Sequence, residues 1–409
     1  MKKPLLTVCL STLFFLNACS EVPKETSLTS STETLTSDLQ QSSTNMSEAE
    51  KRVQTAVDNA AKWQLARMDN FDTYIPTFLH RTVEERGWVQ GAFYLGLVRW
   101  AMTTNNQEYL GFLRDHGEAQ NWRLGDRTFH ADDHVIAQYY LYIYDQDQNP
   151  KILEHNLSEF EIILDENPQM SLDFGPRGKI ADLGYDHDCQ KRWCWSDALF
   201  MSPPVWVHLS NITGDDKYAA YSHKEYQAVT DYLLDPEYNL YFRDSRFLER
   251  RESDGTKIFW SRGNGWVYSG LANIIDIMDK NDPRRDWYID LFKRMSSSLK
   301  DLQNDSGYWP VSLAAGHLYP TPESSGTAFF VAGMAWGINN NILDEALYLP
   351  SVKKGWDALL KAQKEDGMLG YVQQVGYAPD KVSPDETQLY GAGAFLLAGS
   401  EVLKLADKL

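Results

Sequence analysis

The strongest constraint on the fold is an alternation of two kinds of predicted helix along almost the whole chain. Apolar residues recur at helical spacing, and no strand-rich region interrupts them. One kind of helix is charged and amphipathic, and the pattern predicts it over 47–67, 107–116, 151–165, 216–234, 284–302 and 347–363. The other kind is rich in small and apolar residues, and the pattern predicts it over 88–102, 132–144, 196–209, 265–278, 326–338 and 387–403.

Charged helices suit an outer layer that faces water, whereas helices that are apolar all round suit an inner layer packed on both sides. The alternation therefore predicts an all-α fold, an (α/α)6 barrel of six helical hairpins. A stack of helical repeats is the alternative, but the pairs lack the fixed sequence period of such stacks. Glycines that favour close approach of the inner helices are Gly91, Gly265, Gly270, Gly326, Gly333, Gly391 and Gly393.

The first residues have the pattern of an export signal. Lys2 and Lys3 precede an apolar run too short to span a membrane, which ends at Leu16-Asn17-Ala18-Cys19. This ending is similar to a bacterial lipoprotein box with Cys19 as the lipidated residue. Ordinary signal-peptidase cleavage is the alternative, because Asn17 is unusual there.

These patterns predict a signal peptide over 1–18, a tether rich in Ser, Thr and Gln over 19–46, and one barrel domain over 47–409. We expect a protein outside the cytoplasm, periplasmic or in the outer membrane, that meets the membrane only through a lipid anchor.

Charge excludes one class of partner. The formal net charge of −18 disfavours binding to a nucleic-acid backbone, because two polyanions repel. It also means that any anionic ligand needs a local basic pocket. The 13 Trp and 22 Tyr serve the core first, but such a surplus also suits stacking against the flat faces of sugars.

One stretch combines a carboxylate with aromatic neighbours. In Cys194-Trp195-Ser196-Asp197, the acid lies where a loop ends and an apolar helix begins. Partial desolvation there raises the pKa of a carboxyl group, so that it can hold a proton near neutral pH. The alternative is an N-cap, in which Ser196 or Asp197 only binds free backbone N–H groups.

Four polar segments stand at the start of predicted inner helices. If the inner helices run parallel, these segments meet at one end of the barrel and form a site. Independent caps could also be polar, but they would not require the accompanying aromatic residues and arginine. The segments are Asp132-Asp133-His134, Trp195-Ser196-Asp197, Trp260-Ser261-Arg262-Gly263-Asn264-Gly265-Trp266 and Glu323-Ser324-Ser325-Gly326-Thr327.

The second carboxylate candidate is Asp132, with Asp133 beside it. Like-charge repulsion from such a group would raise the pKa of Asp197, and the group could position a water. An Asp-Asp N-cap is the alternative. His134 could titrate near neutral pH, although a satisfied polar role is common for such a histidine.

The segment around Arg262 suits contact with a ligand. Its glycines would let the backbone approach, its tryptophans offer stacking faces, and Arg262 could pair with a carboxylate. A plain turn at Asn264-Gly265 is the alternative.

Two cysteines follow the predicted signal, Cys189 and Cys194. In an oxidising periplasm they could form a local disulfide, and two free thiols are the alternative. Their spacing without a second pair is not a zinc signature.

Two motifs together resemble glycoside hydrolase family 105, the unsaturated rhamnogalacturonyl and glucuronyl hydrolases. They are the stretch from Trp195 to Pro204 and Ser261-Arg262-Gly263-Asn264-Gly265-Trp266; the helix from Gly391 to Glu401 is also similar to the family's last inner helix. The match spans most of the chain after the tether, and the family fold is the (α/α)6 barrel.

The resemblance implies removal of a 4,5-unsaturated uronic acid from the oligosaccharides that polysaccharide lyases release, with a uronyl-rhamnose linkage of rhamnogalacturonan or ulvan type. Asp197 would be the general acid, and Asp197 or Asp132 would hold the water. No cofactor or metal is implied. Substrate contacts would come from Asp133, His134, Trp195, Tyr241, Arg243, Arg262, Asn264 and Trp266.

The chain departs from the family at one place. Many members carry His-x-Trp-Asp, where this chain has Tyr241-Phe242-Arg243-Asp244. Arg243 or Tyr241 would then contact the substrate, which favours a branch acting on glucuronyl ends. The alternatives outside this family are a glycan-binding surface lipoprotein without catalysis and an ordinary glycosidase.

Overall fold

The computed structural model of the protein describes residues 46–68, 84–175 and 184–409. The predicted signal peptide, Cys19 and nearly all of the predicted tether lie outside the described residues. The residues from Ser47 to Leu409 belong to one unit, and within it the described residues form two concentric layers of helices.

The inner layer is a closed ring. Each of its helices packs against the next, and the last packs against the first. Such closure buries every face of these helices, which explains their apolar composition. In chain order they are α2 Trp88–Thr104, α4 Ala131–His134 with α5 Ile136–Asp147, α7 Ala198–Met201 with α8 Pro203–Thr213, α10 Ser261–Ile277, α12 Ser324–Asn339 and α14 Leu389–Val402.

The outer helices each bury one face. In the helix that follows α10, the buried residues Tyr288, Leu291, Phe292, Met295 and Leu299 recur at helical spacing, and the charged residues lie between them. The outer helices are α1 Glu48–Leu65, α3 Gln107–Ala119, α6 Lys151–Glu166, α9 Asp216–Leu233, α11 Arg285–Asp301 and α13 Glu345–Ala362. The predicted (α/α)6 barrel is confirmed.

The remaining regular structure is short. Strands β1 Leu234–Asp235 and β2 Leu240–Tyr241 pair antiparallel after α9. Turns of 3-10 helix cover Asp188–Arg192, Ser245–Phe247, Leu313–Leu318 and Leu403–Lys408.

Contacts between the inner helices show that they run parallel. At their first turns, Trp88 of α2 stacks on Tyr390 of α14 with ring centroids 5.3 Å apart. Further along the same pair, a Cβ on Gly96 would lie 2.2 Å from the carbonyl oxygen of Gly393. The N-terminal ends of the inner helices therefore meet at one end of the barrel, as the sequence predicted.

Three inner helices differ clearly from the prediction, whereas the other three agree with it to within two residues at each end. The helix predicted over 132–144 is divided at Val135, and the one predicted over 196–209 is divided at Ser202, because Pro203 and Pro204 lack the N–H groups that would continue it. The helix predicted to begin at Gly265 begins at Ser261. Its Asn264-Gly265 pair is therefore helical and makes no turn.

Candidate active site

Asp197 stands at the N-terminal end of α7, at the barrel mouth. Its backbone has helical angles, and its side chain makes no capping hydrogen bond within the described part of the chain, so Asp197 does not act as a side-chain cap. The carboxyl group is largely buried and accepts a hydrogen bond from Ser196 Oγ at 3.1 Å. Burial raises the pKa of Asp197 above its usual value, although Arg243 and Arg262 oppose that shift. A group of this kind can hold a proton for delivery to a substrate.

Arg243 faces Asp197. Its Nε lies 3.7 Å from Asp197 Oδ2, is buried and makes no hydrogen bond to any residue that the structure describes. The backbone delivers it there, because the Ser196 N–H donates to the Arg243 carbonyl at 2.8 Å and Trp195 forms a bridge with Asp244. At 3.7 Å, the positive charge of Arg243 favours the ionised form of Asp197 and opposes the effect of burial.

Asp244 fixes Arg243 from behind. The carboxylate is fully buried, and its Oδ2 accepts from Arg243 Nη1 at 2.6 Å and from Arg246 Nη2 at 2.8 Å. Burial would raise the pKa of Asp244, but the bonds and charges of the two arginines outweigh it and hold the pKa below its usual value. The result is an ion cluster that keeps Arg243 rigid.

The structure distinguishes the two adjacent aspartates. Asp133 is buried and bound on both oxygens by the Arg127 side chain, and it also accepts from the Arg127 N–H at 2.8 Å. Asp132 keeps a fifth of its side chain exposed. Burial raises the pKa of Asp132 to about 7, and the charges of Asp133 and Asp197 add to this rise. Asp132 is thus the second carboxylate that couples to Asp197.

The cap of α4 is a histidine. His130 Nδ1 accepts from the Asp132 N–H at 3.3 Å, so the Asp-Asp cap alternative is wrong. The ring of His130 lies 4.9 Å from that of Trp195, centroid to centroid. His130 therefore holds the loop of Asp132 against the loop of Asp197.

His134 lies away from the mouth. It is buried, and its Nδ1 and Nε2 each lie 2.7 Å from a protein partner, Ser202 Oγ and the Thr128 carbonyl. Burial lowers the pKa of His134. Both ring nitrogens are occupied, so the structure gives it a role in joining α4 to α8 in place of the predicted substrate contact.

Arg262 also differs from its predicted role. It donates to the carbonyls of Gln373 and Gln374, at 2.6 and 2.8 Å, and its guanidinium lies between the rings of Trp260 and Tyr390. It is buried and forms no ion pair with a carboxylate among the described residues, although its charge opposes the rise in the pKa of Asp197. These bonds fix the loop before α14. Arg262 reaches that loop from the first turn of α10, because α10 begins at Ser261, four residues earlier than predicted.

Asn264, Tyr241 and Trp266 are buried beneath the mouth. The Asn264 side chain accepts from the Tyr241 N–H at 2.7 Å and donates to the Tyr241 carbonyl at 3.0 Å, which holds the strand that leads to Arg243. The Tyr241 hydroxyl bonds Thr230 Oγ1, and Trp266 packs against Phe200 and Phe329. The structure gives these three residues supporting positions where the sequence predicted substrate contacts.

The loop before Asp197 is cross-linked. Cys189 and Cys194 form a disulfide, and Cys194 lies three residues before Asp197. The cross-link and the bridge to Asp244 restrict the segment that carries Trp195 and Asp197.

Sequence reasoning missed several residues of the site. Trp88, half-buried at the first position of α2, offers an aromatic ring at the mouth. Its place at the start of an inner helix was the available signal. Asp244, Arg127 and His130 were missed because only the folded chain shows what they bind.

A cavity of about 430 Å³ opens at the other end of the barrel, lined by Tyr142, Asp145, His208, Asn211 and Asp276. Its charged groups are paired, since His208 bonds Asp145 and Arg99 bonds Asp276, each at 2.8 Å. None of the predicted site residues lines this cavity.

Comparison with known families agrees with this geometry. The model of Glycosyl Hydrolase Family 88 matches residues 43–406, nearly the whole barrel. The chain belongs to Glycosyl Hydrolase Family 88. The predicted resemblance to family 105 is confirmed within the superfamily that joins the two families.

Two curated relatives of this family 88 chain share one name, unsaturated 3S-rhamnoglycuronyl hydrolase. The protein of Alteromonas sp. (strain LOR) is 39% identical over 407 residues, 98% of each chain. That of Formosa agariphila is 39% identical over 335 residues, covering 78% of this chain and 85% of the relative. Among solved structures, a family 88 glycosyl hydrolase from Bacteroides vulgatus superposes with a TM-score of 0.74 at 26% identity, covering 87% of this chain and 99% of the other.

Proposed function

We propose that this enzyme removes a 4,5-unsaturated uronic acid from the non-reducing end of lyase-generated oligosaccharides, where the uronate is linked to 3-sulfated rhamnose. The observation that carries the proposal is Asp197, a buried acid of raised pKa at the mouth, facing the Nε of Arg243 at 3.7 Å. Family membership and the shared name of the two curated relatives support it.

The reaction is the hydration of a vinyl ether. Asp197 donates its proton to C4, and positive charge develops at C5, where the ring oxygen stabilises it. Water adds at C5 and returns a proton to the carboxylate. The hemiketal then opens: the bond between C5 and the ring oxygen breaks, C5 becomes a ketone, and the former ring oxygen stays on C1 as a hydroxyl group. C1 is now a hemiacetal, which collapses to an aldehyde and expels the neighbouring sugar.

The neighbouring groups fit this sequence. Arg243, with 15% of its side chain exposed beside Asp197, can attract the uronate carboxylate, which places the double bond beside Asp197. Asp132, with a pKa of about 7, can accept a hydrogen bond from the attacking water. Trp88 presents a ring against which the flat unsaturated sugar can lie.

The test is Asp197→Asn, followed by the loss of ultraviolet absorbance as the double bond is consumed. We expect the rate to fall at least about a hundredfold, because the amide cannot donate the proton. The matched control is Asp290→Asn, which changes an exposed carboxylate on α11 that pairs with Arg294 on the same helix. Substrates are lyase products of ulvan, rhamnogalacturonan and glycosaminoglycans.

Other outcomes are equally informative. Full activity in Asp197→Asn would refute the role of the acid. Binding without consumption of any double bond by the wild-type protein would favour a glycan-binding lipoprotein. Release of p-nitrophenol from saturated glycosides would indicate an ordinary glycosidase.

We also propose that the enzyme is exported and carries a lipid on Cys19, at the periplasmic face or in the outer membrane. The charged and apolar segments before Leu16-Asn17-Ala18-Cys19 support this.

A further inference from the structure

We propose that Arg246 binds the sulfate ester of the rhamnose next to the unsaturated uronate, and that Tyr377 supports the face of that sugar. This inference rests on the proposed function, because the uronate held at Asp197 determines where the next sugar lies. It assigns a specificity role to residues outside the reacting centre.

Arg246 is connected to the reacting centre through one carboxylate. Asp244 Oδ2 accepts from both Arg243 Nη1 and Arg246 Nη2, at 2.6 and 2.8 Å, and Arg243 in turn faces Asp197. The two guanidinium groups are therefore neighbours, with Arg243 nearer the acid and Arg246 nearer solvent. This order matches a disaccharide that carries a carboxylate on its first sugar and a sulfate on its second.

The guanidinium of Arg246 is fixed along one edge and free along the other. Its Nε and Nη2 each bond Asp244 at 2.8 Å, and it lies over the ring of Phe174 at 4.1 Å. Within the described part of the chain, its Nη1 makes no hydrogen bond, and 37% of the side chain is exposed. A rigid guanidinium with a free edge suits the oxygens of a sulfate.

Charge supports an anion at this point. The chain as a whole is strongly negative, so it attracts an anionic sugar only where cations outnumber carboxylates locally. Arg243, Arg246 and the ionised Asp244 together keep one net positive charge. The nearby Asp173 accepts from Ser245 Oγ at 2.7 Å and is exposed to water, which screens its charge.

Tyr377 is an exposed aromatic ring that the core does not explain. It is 54% exposed, lies 5.4 Å from the Arg246 guanidinium, and contacts Phe247 edge-on. An exposed tyrosine beside a cation can pack against the apolar face of a sugar while the cation binds its anionic substituent.

The experiment compares two disaccharides, unsaturated uronyl-rhamnose with and without the 3-sulfate, and measures kcat/KM from the loss of absorbance. We expect Arg246→Gln to lower kcat/KM on the sulfated disaccharide at least about tenfold more than on the desulfated one. Arg246→Lys should restore part of the preference, because it keeps the charge but loses the planar fork. The matched control is Arg250→Gln: Arg250 follows in the same loop, stacks on Phe247 and does not bond Asp244.

Equal losses on both disaccharides in Arg246→Gln would overturn the proposal, since they would mean that Arg246 only positions Arg243. An equal change of preference in Arg250→Gln would also overturn it, in favour of general charge attraction. A wild-type enzyme that consumes both disaccharides without preference would overturn this proposal and leave the proposed function standing. Consumption of neither would overturn the proposed function itself.

Discussion

At the scale of single residues, the site depends on carboxyl groups held in different protonation states. Asp244 is ionised between two arginines, Asp133 is clamped by Arg127, and Asp132 and Asp197 have raised pKa values at the mouth. Burial favours the protonated form of Asp132, Asp197 and Asp244, and only at Asp244 do two bonded arginines outweigh it and lower the pKa. A proton is therefore available at the mouth and absent from the supporting ion cluster.

The raised pKa of Asp132 predicts a pH-dependent effect of Asp132→Asn on stability. The ordinary pKa of an aspartate is ~3.9, so between about pH 4 and 7 the folded state holds a proton that the unfolded state has lost. Wild-type stability therefore falls as pH rises through this window, whereas an asparagine does not ionise. We expect the variant to gain about 2 to 4 kcal/mol over wild type at pH 8 and close to nothing at pH 4.

Urea unfolding at the two pH values measures this difference, with Asp290→Asn as an exposed control. The same gain at both pH values would contradict the assignment, because it would not arise from ionisation.

At the scale of elements, the site depends on how closely the inner helices approach. Where α2 and α14 cross, a Cβ on Gly96 would meet the Gly393 carbonyl oxygen at 2.2 Å, and one on Gly393 would meet the Ala92 carbonyl oxygen at 2.4 Å. Backbone atoms cannot move aside as side chains can. The glycines therefore set the spacing of two helices whose first turns carry Trp88 and Tyr390.

Two glycine substitutions should have opposite effects. Gly96→Ala should destabilise the protein by about 1 to 3 kcal/mol, because it forces two packed helices apart. Gly111→Ala, inside the outer helix α3 with nothing within 4 Å of a new Cβ, should stabilise it by about 0.5 to 1 kcal/mol through the better helix propensity of alanine. Unfolding midpoints in urea measure both, and destabilisation by Gly111→Ala would argue against this account.

The sequence predicts the helices well because burial of whole helices or of one face is a local pattern. The position of Asp197 at a helix start follows from the same pattern. Arg262 shows the limit, since its carbonyl partners, Gln373 and Gln374, are more than a hundred residues away in sequence. Its bonds depend on the path of a distant loop, and no local spacing contains that information. The Asp244 cluster was missed for a different reason. A short turn folds Arg246 back onto Asp244, and the helical spacing of apolar residues does not predict that turn.

At the scale of the whole molecule, the barrel domain carries a helix start signal of its own. Ser47 begins α1 with a capping box, in which its side chain and that of Glu50 each bond the other's backbone N–H. The start of the first helix is thus fixed by hydrogen bonds between Ser47 and Glu50.

Removal of residues 1–46 should leave unfolding and catalysis unchanged and abolish membrane association. In the full chain, Cys19→Ser should give the same shift from the membrane fraction to the soluble fraction. Fractionation with labelled palmitate, together with activity in each fraction, measures this. A Cys19→Ser protein that stays in the membrane fraction would refute the lipid anchor.

The contact between α2 and α14 joins helices from opposite ends of the barrel sequence. A ribosome makes the first of them long before the last, so the wall has a gap until translation is nearly complete. Until then the nascent polypeptide cannot close the ring of inner helices. A precursor that stays open in this way can be threaded through a narrow export channel and closed on the other side.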